Sequence, residues 1–209
     1  MKIEQLTQVP IIPVLRGIPF EKSDYIINAL VEGGIRSIEI TMDTNRAADI
    51  ISAAHTKYGS DISIGAGTVL TVEKAKEAIA AGAEFLVAPN FDVVVTKFAQ
   101  DQNIFFVPGV FTPSEMVSAF QAGADIVKLF PASVLQPQFI KDVKGPLSHI
   151  PIMCTGGIDL STVKSYLEAG ADVVGAGSSL VKKKFIEEND WVGLQQETRE
   201  WLKDLNVPV

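Results

Sequence analysis

Apolar and polar positions alternate between two patterns along this chain. Short β-rich apolar runs fall at Ile11–Arg16, Ser37–Thr41, Ile62–Val69, Phe85–Pro89, Ile104–Val110, Ile126–Pro131, Ile152–Gly156 and Val173–Leu180. Longer helix-patterned stretches separate them. Several helices carry start signals: Ser23, Thr71, Asp92, Thr112-Pro113-Ser114-Glu115 and Asp159/Ser161. Strands alternating with helices imply parallel strands joined by right-handed crossovers. About eight such units in 209 residues predict an α/β fold, a compact (β/α)8 TIM barrel, with residues 1–209 as a single domain. A doubly wound open sheet is the alternative. The even spacing of the units and the lack of a GxGxxG turn after the first strand count against it.

Four helices end in a glycine that leads straight into a strand: Gly34, Gly82, Gly123 and Gly170. A helix C-terminus often turns through a left-handed residue, which suits glycine. Counting five residues on from each gives Glu39, Val87, Lys128 and Gly175, in the second, fourth, sixth and eighth strands. Alternate strands of such a barrel supply one interior layer. Glu39 and Lys128 are therefore expected to face each other, with Val87 and the bare Gly175 leaving room between them.

Lys128 is the odd residue in the apolar run Ile126-Val127-Lys128-Leu129-Phe130-Pro131. A buried ammonium is costly unless it is paired or gives up its proton. The functional reading is a neutral, nucleophilic lysine. The bland ones are an edge-strand lysine snorkelling to water, or a plain buried ion pair with Glu39.

Two glycine clusters stand in the last two units, Thr155-Gly156-Gly157 and Gly175-Ala176-Gly177-Ser178-Ser179. Glycines let backbone amides approach an anion closely, and the loops after strands seven and eight are the common phosphate site of these barrels. The same rim carries Arg16, Thr68 and Pro89-Asn90. Arginine can fork onto a carboxylate; it can equally make a structural salt bridge. Thr68 either meets substrate or caps the following helix. Phe130 follows Lys128 at the rim, as core or as substrate wall.

The net charge of −7 argues against nucleic acid as a partner but not against anionic metabolites. Cys154 is the one cysteine, and His55 and His149 stand alone, so neither a disulfide framework nor a zinc site is expected. The N-terminal residues do not read as a secretory signal, and no run approaches the ~18 apolar residues of a membrane span. A cytoplasmic protein is expected. Trp191 and Trp201 read as packing of the last helix, and Lys182-Lys183-Lys184 as a solvated helix approach.

Ile38-Glu39-Ile40-Thr41, Gly65-Ala66-Gly67-Thr68-Val69, Val107-Pro108-Gly109-Val110, Val127-Lys128-Leu129-Phe130-Pro131 and Thr155-Gly156-Gly157-Ile158 occur in order. Together they resemble the 2-keto-3-deoxy-6-phosphogluconate (KDPG) / 4-hydroxy-2-oxoglutarate (KHG) aldolase family, over about Ile11 to Val181. The resemblance implies a class I aldolase, a homotrimer, with no metal or other cofactor. Lys128 matches its Schiff-base lysine and Glu39 its proton-shuttling carboxylate. Thr68, Pro89 and Phe130 match residues lining the pyruvate portion; Gly156, Gly157 and Ser178 match the phosphate site, to which the glycine cluster adds Gly177. Two positions depart from the pattern. Asp43 stands where many members have a substrate-holding arginine, so that task is expected of Arg16. Cys154 stands where relatives often have proline, with little expected effect.

The implied reaction is reversible cleavage of the phosphorylated sugar acid to pyruvate and glyceraldehyde 3-phosphate, with 4-hydroxy-2-oxoglutarate as a further substrate. Asp43 leaves the 6-phosphogalactonate isomer open. A phosphosugar isomerase or epimerase would share the phosphate loops but does not explain a lysine opposite a carboxylate; in a non-enzymatic phosphometabolite-binding barrel the Lys128–Glu39 pair would be only structural.

Overall fold

The computed structural model describes residues 3–59 and 61–207. Its strands are β1 (Ile11–Leu15), β2 (Ser37–Thr41), β3 (Ser63–Gly67), β4 (Phe85–Val87), β5 (Phe105–Val107), β6 (Gly109–Val110), β7 (Val127–Leu129), β8 (Ile152–Thr155) and β9 (Val173–Ala176). Its helices are α1 (Ile3–Thr7), α2 (Phe20–Glu32), α3 (Ala47–Tyr58), α4 (Val72–Ala80), α5 (Val93–Asp101), α6 (Pro113–Gln121), α7 (Ala132–Lys144), α8 (Val163–Glu168), α9 (Lys183–Glu188) and α10 (Trp191–Asp204). All strand pairs are parallel, in the order β5-β4-β3-β2-β1-β9-β8-β7-β6. β5 and β6 belong to one run, so the two ends of this order meet and the sheet closes into a (β/α)8 barrel. The open-sheet alternative falls with that closure.

The expected continuous strand Ile104–Val110 is split at Pro108. Proline has no N–H to give to a ladder. Its carbonyl still accepts from Lys128 N at 2.8 Å, which ties the interrupted run to β7.

The capping chemistry holds at three of the anticipated starts. Thr71 accepts from Lys74 N, Asp92 accepts from Val94 N and Val95 N, and Thr112 with Glu115 forms a reciprocal capping box. It fails at Ser23. α2 begins earlier, after Pro19, and the Ser23 hydroxyl donates to Phe20 O inside the first turn. Asp159 acts just ahead of α8, accepting from Ser161 N and Thr162 N. The four helix-ending glycines have φ of 97–108°, where a side chain would be strained, so each helix reverses at the expected residue.

Two cores result. One lies between sheet and helices and includes Ile38, Ile40, Ile64 and Leu129. The other fills the barrel with Ile12, Phe85, Val87, Phe105, Val107, Ile126, Met153 and Val173. Leu6 of α1 joins this interior cluster, so α1 helps to stopper one end of the barrel. Trp201 is buried in α10, while Trp191 stacks on Tyr25 at 5.7 Å. Of the lysine run, Lys182 pairs with Glu197 at 2.5 Å and Lys183 with Glu187 at 3.0 Å.

Candidate active site

Parallel strands deliver their C-terminal residues to one rim, and there a cavity of about 780 Å³ opens. Arg16, Thr68, Pro89, Lys128, Phe130, Gly156, Gly157, Gly177 and Ser178 all line it. Nine of the ten anticipated site residues thus converge although they come from six different strand ends. The tenth, Glu39, is not part of the cavity wall and is completely buried.

Lys128 is 4% exposed, with Nζ 5.2 Å from the Phe130 ring centroid. β2 and β7 lie on opposite sides of the ring, as the glycine count requires. Among the described residues, however, Glu39 and Lys128 form no ion pair within 4.0 Å. A simple buried salt bridge does not describe them. Both Glu39 carboxylate oxygens are buried without a hydrogen-bond partner among the described residues. Burial pushes the Glu39 carboxyl above its ordinary range. The charges of Lys128 and Arg16 oppose that shift, and Asp43 adds to it. A buried acid with a raised pKa beside a cavity-lining lysine is the arrangement expected of proton-transfer chemistry.

The space left by Gly175 is used by its neighbours. A Cβ there would crowd Thr155 Oγ1 and Met153 Cε. Thr155 lines the cavity, and its hydroxyl is buried and unpartnered among the described residues. Sequence reasoning read Thr155 as part of a phosphate loop and missed it as a polar group inside the cavity. The signal lay in the register: Thr155 pairs with Gly175, already placed in the interior layer.

At the rim, Arg16 makes a salt bridge to Asp43 and donates from Nη2 to Thr68 Oγ1 at 2.9 Å. Thr68 is therefore not a helix cap; Thr71 takes that part. Thr68 has φ of 56°, a strained conformation for a β-branched residue.

The glycine loops form the opposite end. Gly156 and Gly157 have φ of 97° and 72°, which directs the backbone in a way a side chain would resist. Ser179 Oγ donates to Ile158 O at 2.6 Å and latches one loop to the other. Asp159 lines this end, but its carboxylate accepts from Ser161 and Thr162, bonds that hold it below the ordinary carboxylate range. The cationic side chains lining the cavity are Arg16 and Lys128. An anion at the glycine end would therefore meet backbone amides and Ser178. Cys154 lies behind this wall, buried, its thiol pushed up to about 12 chiefly by burial. Among the described residues, no group of three His, Cys, Asp or Glu side chains could hold a metal ion.

Known proteins share this architecture. The family model described as KDPG and KHG aldolase matches residues 3–196. The 2-dehydro-3-deoxy-phosphogluconate aldolase of Haemophilus influenzae is 36% identical, over 95% of this chain and 93% of its own. A probable 2-dehydro-3-deoxy-6-phosphogalactonate aldolase of Rhizobium meliloti is 35% identical, over 83% of this chain and 82% of its own. The crystal structure of Legionella pneumophila KDPG aldolase holds pyruvate as a covalent carbinolamine intermediate. It superposes with a TM-score of 0.86 at 27% identity, over 95% of this chain and 97% of its own. This barrel, with a lysine in its cavity wall and a buried carboxylate beside it, belongs to the KDPG and KHG aldolase family.

Proposed function

We propose that this protein is a class I aldolase that reversibly cleaves 2-keto-3-deoxy-6-phosphogluconate to pyruvate and glyceraldehyde 3-phosphate through an imine on Lys128. The observation that carries this reading is Lys128 itself: buried in the cavity wall, unpaired within 4.0 Å among the described residues, with the unpartnered carboxylate of Glu39 close enough to sense its charge. The carbinolamine of the Legionella relative supports the same chemistry.

Neutral Lys128 Nζ attacks the C2 carbonyl carbon, and loss of water gives a protonated imine. That cation receives the electron pair when the C3–C4 bond breaks. Glu39, directly or through one water, takes the C4 hydroxyl proton, and the aldehyde leaves. Glu39 then returns a proton to C3 of the enamine, and hydrolysis frees pyruvate and Lys128. Thr68, Pro89 and Phe130 bound the pyruvate portion, and Arg16, bonded to Thr68, meets its carboxylate. Gly156, Gly157, Gly177 and Ser178 receive the phosphate through backbone N–H groups and one hydroxyl. The Thr155 hydroxyl supplies a hydrogen bond inside the cavity. 4-Hydroxy-2-oxoglutarate, cleaved to pyruvate and glyoxylate, is a second substrate of the same imine.

One observation favours a second reading, cleavage of the 6-phosphogalactonate isomer. The rim charge is built from Arg16 just after β1 and Asp43 after β2, and relatives named for each isomer match at 36% and 35% identity. The two readings share every catalytic step and differ in configuration at C4.

The full reading takes the chain as one aldolase domain acting in the cytoplasm as a homotrimer. Exposed Leu70, Val93, Val94 and Phe111, on the loops and helix start after β3, β4 and β6, give apolar surface for contact between copies. The test is an intact mass after pyruvate and borohydride. Wild type gains a reduced pyruvyl adduct and Lys128→Ala does not. An adduct that survives Lys128→Ala overturns the assignment, and an unmodified wild type removes the imine mechanism.

A further inference from the structure

Beyond its small upward push on the Glu39 carboxyl, Asp43 takes no step in the chemistry above, yet its position is firmly fixed. The turn that carries it is pinned to the end of β1. Thr41 Oγ1 donates to Leu15 O at 3.3 Å and lies 3.1 Å from Thr44 Oγ1, and Gly17 N donates to Thr44 Oγ1 at 2.9 Å. Thr41 and Thr44 are both buried. This network fixes the Asp43 backbone beside Arg16, and the two side chains make a salt bridge.

Arg16 is thus already occupied. One terminal nitrogen serves Asp43 and the other serves Thr68 Oγ1. A substrate carboxylate arriving at this guanidinium shares it with a fixed carboxylate of the same charge. The interaction is solvent-screened, since the Arg16 and Asp43 side chains are 55% and 45% exposed. It is a modest effect of definite sign.

We propose that Asp43 is a positioning residue that acts through Arg16 as a built-in rival for the substrate carboxylate, keeping the hold on the pyruvate end weak. The rivalry also has a use. Pyruvate is the product that remains on the lysine longest, and a half-neutralised arginine lets it go. Binding strength then rests on the glycine-loop end, which pyruvate does not reach. This inference rests on the reading that Arg16 meets the carboxylate of a pyruvate unit held on Lys128.

The experiment measures the pyruvate concentration that gives half-maximal borohydride trapping, in wild type and in Asp43→Asn, which keeps an acceptor oxygen but removes the charge. Pyruvamide, neutral at the same end, is the control. The expected result is a half-saturating pyruvate concentration about three- to fivefold lower in the variant, with pyruvamide unchanged. An unchanged or higher value for pyruvate, or an equal fall for pyruvamide, overturns the proposal. A purely structural Asp43 would give weaker binding, the opposite sign. Should Asp43→Asn lose its circular-dichroism signature of folding, Asp43→Ser is read in the same way. Failure of wild type to trap pyruvate at all would instead overturn the aldolase reading, so the two failures are distinct.

Discussion

The carboxylate of Glu39 occupies the space that a side chain on Gly67 would take. A Cβ built on Gly67 overlaps Glu39 Oε1, Cδ and Cγ. Both residues lie in buried strands, and the Gly67 carbonyl accepts from Met42 N at 2.8 Å, which fixes the backbone on either side. Gly67 is therefore a mould for the carboxylate rather than a hinge.

Gly67→Ala should displace Glu39 without touching Lys128. We expect kcat to fall by about tenfold or more, the scale of a misplaced general acid–base group. Imine formation with pyruvate should persist. Steady-state kinetics and borohydride trapping check both; unchanged kcat would show that the Glu39 position does not matter.

Glu39→Gln should still trap pyruvate but turn over slowly, and it should alter the response to pH. Glu39 holds its proton to higher pH in the folded protein than its ordinary value of 4.5. Between those two values the folded state binds more protons than the unfolded chain, so the contribution of Glu39 to stability declines as pH rises through that window. The variant lacks this decline. Its melting temperature relative to wild type should be higher at pH 8 than at pH 4.5. The acid limb of wild-type kcat/KM should lie above 4.5, because the base must be ionised. A stability difference that does not change with pH would contradict the buried, proton-retaining state.

Ser178→Ala should raise KM for the phosphorylated substrate by about tenfold, the scale of one hydrogen bond to a charged group. An unphosphorylated analogue should be unaffected. Equal effects on both would remove the phosphate from this end of the cavity.

Much of this site was legible because a (β/α)8 barrel converts sequence spacing into position. Gly34 and Gly123 mark where two helices turn, and a strand has a fixed rise per residue. Counting from them puts Glu39 and Lys128 into the barrel on opposite strands. The glycine loop at Gly156-Gly157 was legible for a related reason, since both residues have a positive φ that demands glycine locally. Less legible were features that depend on partners far apart in sequence. Ser23 looks like a cap, but packing starts α2 three residues earlier. Pro108 interrupts a run that hydrophobicity reads as continuous. Thr68 resembles a cap, and only the arrival of Arg16 from β1 gives its hydroxyl another task.

By itself, the sequence determined the alternation of elements, the closed α/β architecture, the register of Glu39 and Lys128 and the placing of its glycine pairs after the last two strands. Each follows from local backbone preference and the periodicity of burial. The tertiary structure alone decided that Glu39 and Lys128 stand apart instead of forming a salt bridge, that Gly67 makes room for the carboxylate, and that Asp43 claims Arg16. Those outcomes depend on distances of a few ångströms between side chains on different strands. Spacing along the chain sets which residues face one another; packing in three dimensions sets whether they touch.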